Sequence, residues 1–153
     1  MKEPEAGQKA PFFEGNDQNG NKISLDDYKG KKLVLYFYPK DNTPGCTDEA
    51  CNLRDNYNDL IEKGFAVVGI SPDSDKSHQK FADKHNLPFP LIADPGKKIM
   101  SEYGTWGEKK MYGKSFTGVL RTTFIINEEG NIEEVIKKVD TKKHAEQIYK
   151  LYE

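Results

Sequence analysis

Several things are scarce in this chain of 153 residues, and each scarcity narrows the reading. No apolar run is long enough to span a bilayer, which takes about 20 residues. The N-terminal MKEPEAGQKAP has no apolar core of a secretory signal. Neither sign of charge dominates: the net charge is -2 and the basic residues are scattered. That excludes a nucleic-acid footprint and a basic membrane-binding face. Internal repeats, low-complexity stretches and linkers are missing too. What is left is an ordinary globular composition and a length that fits one domain over residues 1–153. The expected location is cytoplasmic, where disulfides are usually transient and catalytic.

Cysteine and arginine are the scarcest informative residues. Two cysteines, Cys46 and Cys51, stand five residues apart in YPKDNTPGCTDEAC. Two arginines, Arg54 and Arg121, stand against 21 lysines. A composition that prefers lysine this strongly keeps arginine where its planar fork matters. Arg121 opens an apolar strand, so it is expected at a sheet end beside a thiolate. Arg54 is a helix-surface residue with Asp55 or Asp59 as its expected partner.

The apolar pattern predicts an α/β architecture. An Asn19-Gly20 turn within 12–25 reads as a hairpin. LVLYFY (33–38) and FAVVGIS (65–71) read as strands buried on both faces. Between them, 44–63 reads as a helix stopped by Gly64, which makes a parallel crossover unit. A polar helix near 75–85 and a short strand at 90–93 follow. Asp94-Pro95 then reads as a cap and first helical residue, with Gly104 as the stop. Residues 105–118 read as a loop. RTTFIIN (121–127) and 131–139 read as an antiparallel pair with a turn at Glu129-Gly130. A last helix starts near Thr141, with Ala145, Ile148, Tyr149 and Tyr152 on one face. The sum is a mixed central sheet with helices on both sides.

The cysteine stretch is marked as a helix start. Thr43 suits the N-cap and Pro44 the first helical position. Cys46 then lies in the first turn, where unpaired N–H groups and the helix dipole favour a thiolate. The Thr43 hydroxyl is expected within reach of that sulfur as a donor. Ala50, Leu53, Tyr57, Leu60 and Ile61 form an apolar stripe that includes Cys46. Cys51 is offset by about 140° toward the polar side, beside Arg54 and Asn58. In an intact helix the two Cα atoms are about 8.6 Å apart, whereas a disulfide needs less than about 7 Å. If the cysteines pair, the first turn must unwind. The plain alternative is a small buried hydrophobe at Cys46 and a surface accident at Cys51. A zinc site lacks partners, because His78, His85 and His144 supply no known ligand pattern. Those histidines read as solvated helix residues. The thioredoxin-type C-x-x-C is absent.

Pro39, Thr43 and Cys46 match P-x3-T-x2-C, which resembles the peroxiredoxin active-site motif. PGCTDEAC resembles the Q-type subgroup, also called bacterioferritin comigratory proteins. The resemblance runs from GQKAPFF through VVGISPDS, LPFPLIAD and YGTW to RTTFIINEEGNI. It implies a thioredoxin-like fold and reduction of hydrogen peroxide or organic hydroperoxides, without haem, flavin or metal. By position, Cys46 would be the peroxidatic thiolate and Cys51 the resolving cysteine, joined in a Cys46–Cys51 disulfide. Thr43 and Arg121 would bind the peroxide oxygens, Pro39 would shield the pocket, and Glu49 matches the acid between the cysteines. The implied reductant is thioredoxin or a similar dithiol, and the expected assembly a monomer or weak dimer. Two rival readings use the same residues differently: a non-enzymatic redox sensor or holdase, and an interaction domain with inert thiols.

Overall fold

The chain begins with a hairpin of β1 (Glu14–Asn16) and β2 (Lys22–Ser24), turned at Asn19-Gly20 where Gly20 has a φ of +80°. Only glycine takes that backbone region without steric cost. The computed structural model describes residues 4–111 and 113–152. Residues 1–3, which open the stretch read for a secretory signal, lie outside the described residues. A 3-10 helix (Leu25–Tyr28) leads into β3 (Lys32–Phe37).

α1 (Pro44–Asp55) and α2 (Tyr57–Glu62) occupy the stretch read as one helix. The break is at Asn56, whose side-chain Nδ2 donates to the Asn52 carbonyl at 2.9 Å. That carbonyl also accepts from Asn56 N at 3.2 Å, so the side chain shares a ladder acceptor at the residue where the backbone turns to φ -105° and ψ 8°. Gly64, at φ +88°, ends the segment as expected. β4 (Phe65–Ser71) pairs parallel with β3, completing the crossover. α3 (Asp75–His85) is capped by Ser74, whose Oγ accepts from Ser77 N at 3.1 Å. β5 (Leu91–Ala93) pairs parallel with β4.

Two expectations need correction here. α4 (Lys98–Glu102) starts later than Asp94-Pro95, after Lys97 in a left-handed conformation. Asp94 still serves the helix end from outside it, accepting from Ile99 N (3.3 Å) and Met100 N (2.9 Å). Residues 105–118 are not a loop but a second hairpin, β6 (Trp106–Met111) and β7 (Lys114–Val119), around Tyr112, which lies outside the described residues. Among the described residues these strands pair only with each other. They therefore lack the continuous apolar run that marks a strand buried on both faces.

β8 (Thr122–Ile126) and β9 (Ile132–Ile136) form the expected antiparallel pair, with Gly130 at φ +87° in the turn. α5 (His144–Leu151) begins three residues after Thr141. The five strands of the central sheet run in the order β5-β4-β3-β8-β9. Alternation along β3 divides the core. Val34, Tyr36 and Tyr38 face Cys46, Ala50, Leu53, Phe81 and Ile148 on the helices of one side. Leu33, Leu35 and Phe37 face Ile99, Met100 and Tyr103 on the other. Within the predicted stripe Ile61 is an exception, 50% exposed past the break at Asn56.

Candidate active site

Antiparallel pairing of Phe37 with Thr122 puts the end of β3 beside the start of β8. Arg121 immediately precedes β8, so it stands where the chain leaves β3 toward α1. The loop between them is fastened. Tyr38 Oη donates to Asp41 Oδ1 at 2.6 Å, and Asp41 N donates to Asp73 Oδ2 at 2.7 Å. Asp41 Oδ2 accepts from Ser77 Oγ (2.8 Å) and lies 2.7 Å from His78 Nδ1. His78 Nε2 is 3.1 Å from the Ile92 carbonyl. His78 is thus wholly buried rather than solvated as expected. Among the described residues, Asp41, Asp73 and His78 form the one cluster spaced like a metal site. Their ligand atoms are already bonded to one another and to Ser71, Ser77 and Tyr38. The cluster therefore holds the loop, and a metal is not needed to satisfy it.

Cys46 is the third residue of α1 and 1% exposed. Arg121 Nη2 donates to its Sγ at 3.2 Å. Arg121 Nη1 donates to Glu49 Oε1 at 2.7 Å. One guanidinium thus ties two first-half residues of α1 to the sheet, the use of a planar fork that sparse arginine implied. Gly45 leaves the room: a Cβ there would come within 3.4 Å of Arg121 Nη2. The Thr43 expectation fails in detail. Thr43 is the N-cap residue by position, but its side chain makes no cap bond, and its hydroxyl donates to the Lys40 carbonyl at 2.8 Å. With its one proton used there, Thr43 Oγ1 offers the site lone pairs rather than a donor. Pro39 is half-buried where the loop leaves β3.

Beneath the thiol lies a buried polar layer of which the sequence pointed only to Glu49. Glu49 is fully buried. Desolvation raises its pKa from 4.5 to about 7, against the opposing pull of Arg121. His144, read as solvated, is also fully buried. Its Nδ1 lies 2.8 Å from Gln147 Oε1, and its Nε2 lies 2.8 Å from Thr123 Oγ1. Gln147 Nε2 donates to the Lys138 carbonyl, and Asp140 N donates to Gln147 Oε1, so Oε1 is the acceptor facing His144. The neutral ring therefore carries its proton on Nδ1 and accepts at Nε2. Burial lowers the His144 pKa to about 4 and keeps it neutral. Among the described residues Glu49 Oε2 has no hydrogen-bond partner, and it sits 3.6 Å from His144 Nε2. A lone pair facing an unbonded carboxylate oxygen favours protonated Glu49, in the same direction as desolvation. Polar surroundings in the sequence around His144 hid this burial, because Thr123 and Glu49 reach it from β8 and α1.

Cys51 is on the far side of α1 from Cys46, and both are free thiols. It is half-buried against α3 rather than directed at solvent. Its Sγ lies 3.7 Å from His85 Nδ1, and Arg54 Nη1 donates to the His85 carbonyl at 2.7 Å. Arg54 also pairs with Asp55, as expected. A surface cavity of about 680 Å³, lined by Lys32, Lys63, Phe65, Tyr149 and Tyr152, includes neither thiol. The chemistry the site can perform is that of a nucleophilic sulfur facing a fixed cation and a small substrate.

Comparison with known proteins gives the same direction. The AhpC/TSA family profile matches residues 6–135. Peroxiredoxin Bcp of Bacillus subtilis (strain 168) is 47% identical over 141 residues, 92% of this chain and 90% of its own. A structure of Xanthomonas campestris peroxiredoxin Q superposes with a TM-score of 0.88 at 33% identity, covering 95% of each chain. A Xanthomonas campestris bacterioferritin comigratory protein, described for alkyl peroxide reduction through a trapped intermediate/ligand complex, gives 0.88 at 32% identity over 96% of each chain.

Proposed function

The chain belongs to the AhpC/TSA family as a peroxiredoxin of the Bcp kind, a thiol peroxidase, and on that premise we propose that Cys46 is its peroxidatic thiolate and Cys51 its resolving thiol. The observation that carries the assignment is the Arg121 Nη2 contact at 3.2 Å from a buried first-turn sulfur. The cation and the helix N-terminus both favour negative charge on that sulfur.

Cys46 attacks one oxygen of hydrogen peroxide or an organic hydroperoxide. An S–O bond forms and the O–O bond breaks. The second oxygen leaves with the electron pair and takes a proton to become water or alcohol. Arg121 is already fixed where that charge develops, so it stabilises it without reorganising. Two of its five N–H groups are used on Cys46 and Glu49, and the rest have the fork geometry to meet peroxide oxygens. Thr43 Oγ1 accepts from the peroxide O–H, since its own O–H is donated to the Lys40 carbonyl. Pro39 shields the sulfur from bulk water at the loop.

Cys46 sulfenic acid then condenses with Cys51 to an intramolecular disulfide, releasing water. The helical separation forbids this without unwinding the first turn of α1. Thioredoxin or a similar dithiol restores the thiols by exchange. The chain acts as one domain and as a monomer in this cycle, since both thiols come from one helix. A non-enzymatic redox switch would use the same disulfide but would not turn over. Sustained peroxide consumption with a thioredoxin-type reducing system separates the two, and consumption limited to one equivalent would contradict the enzymatic reading.

A further inference from the structure

The Cys51 side of α1 is better organised than a spare thiol requires. Asn52 Nδ2 donates to the Lys142 carbonyl at 3.0 Å, and Asn52 Oδ1 accepts from Ala145 N at 2.8 Å. Arg54 Nη1 donates to the His85 carbonyl at 2.7 Å. The turn carrying Cys51 is therefore fastened to both α5 and α3. The turn carrying Cys46 follows Pro44, which is exposed, and Gly45, which has no side chain to pack. If the first turn unwinds, Cys46 is the sulfur that travels, giving up its Arg121 contact, while the Asn52 and Arg54 bonds keep Cys51 beside α3.

There His85 Nδ1 lies 3.7 Å from Cys51 Sγ. The Phe81 ring packs edge-on against the imidazole at 5.2 Å between centroids. His85 Nε2 is buried without a hydrogen-bond partner among the described residues, so no second bond dictates which ring nitrogen carries the proton. The charged groups around the pair are Arg54, Asp48 and Asp55 on α1 and Lys84 on α3. Desolvation, then Lys84 and Arg54, lowers the His85 pKa, so the ring is neutral at pH 7. Desolvation raises the Cys51 pKa against the pull of Arg54, with Asp55 and Asp48 raising it further. A thiol that stays protonated needs a base to attack, and a neutral imidazole touches it.

We propose that His85 is the general base of the resolving step, accepting the Cys51 proton at Nδ1 as Cys51 attacks Cys46 sulfenic acid. The proposal rests on Cys51 being the resolving cysteine. The Cys51 S–H bond breaks and its proton passes to Nδ1. The S–S bond forms as the S–O bond of the sulfenic acid breaks. Hydroxide leaves and is protonated to water, and His85 gives its proton back to solvent. The net change is one thiol and one sulfenic acid to one disulfide and one water, with no outside oxidant.

The test is single-turnover oxidation of reduced protein by one equivalent of hydrogen peroxide, quenched at set times. Peroxide loss reports the first step, and mass spectrometry of the Cys46–Cys51 disulfide reports the second. His85→Asn places an amide near the Nδ1 position without a base, and His85→Gln serves as the second variant. In both, the first step is expected at the wild-type rate and disulfide formation at least about tenfold slower at pH 7. The wild-type second step should be level above pH 7, while the variants should gain about tenfold per pH unit as hydroxide replaces the base. Equal second-step rates at pH 7, or a slowing by the same factor at every pH, would overturn the proposal. Absence of any Cys46–Cys51 disulfide in the wild type would overturn the reading beneath it as well, and is distinguished because it precedes any variant.

Discussion

Arg121 and Cys46 are 75 positions apart in the chain and meet at 3.2 Å, the guanidinium donating to the sulfur. The meeting follows from the β3–β8 register, which sets the first residue before β8 against the chain leaving β3. Arg121→Lys keeps the charge but loses the fork that reaches Glu49 and the sulfur together. The rate of the first step, by stopped flow on reduced protein, is expected to fall by about a hundredfold. An unchanged rate would mean that charge alone suffices.

Cys46→Ser should abolish peroxide reduction and leave the fold intact. Serine is close in size, and the 1% exposed site loses no large apolar group. Circular dichroism and peroxide consumption read the two halves of this expectation. Consumption by a folded Cys46→Ser protein at the wild-type rate would remove Cys46 from the mechanism.

Cys51→Ser should still react once with peroxide, because Cys51 takes no part in the first step. Its Cys46 sulfenic acid should persist long enough to be trapped by a sulfenic-acid reagent, or should oxidise further under excess peroxide. Rapid loss of the sulfenic acid without a trapping agent would show that another group resolves it.

Glu49 and His144 give a pH dependence with opposed signs. Glu49 is shifted from 4.5 to about 7, so between these values the folded state holds more protons and its stability falls as pH rises. His144 is shifted from 6.5 to about 4, so over that window the unfolded state holds more protons and stability rises with pH. Each contribution is at most roughly 3 kcal/mol, and in the wild type they largely cancel where the two windows overlap. Denaturant melts of His144→Gln should therefore show stability falling across that range, and Glu49→Gln should show it rising. The same slope in both variants would contradict the assigned protonation of the pair.

The sequence made the outline of the site readable for reasons that the structure makes concrete. Continuous apolar runs located β3, β4 and β8, and the Thr43-Pro44 signature located the start of α1. Sparse arginine pointed to Arg121. What it hid depends on partners far apart in the chain. His144 is surrounded by lysines and acids in sequence, yet Thr123 and Glu49 bury it. The polar neighbours Arg54 and Asn58 suggest a polar face for Cys51, while α3 covers that side with His85. The Thr43 hydroxyl chooses the Lys40 carbonyl over the sulfur, a choice of rotamer that no spacing encodes. Among the described residues the β6–β7 hairpin pairs only with itself, and Trp106 and Val119 at its base are the residues that pack on the core, so no continuous apolar run marks it.

The most direct measurement is one equivalent of hydrogen peroxide added to reduced protein, followed by thiol counting, disulfide mapping and amide exchange across residues 43–52. The expected result is one Cys46–Cys51 disulfide per chain, no free thiol, and faster exchange in the first turn of α1, where a helix holds the Cα atoms about 8.6 Å apart against a disulfide limit of about 7 Å. Two free thiols after the peroxide is consumed, or a disulfide formed with the first turn as protected as before, would contradict it.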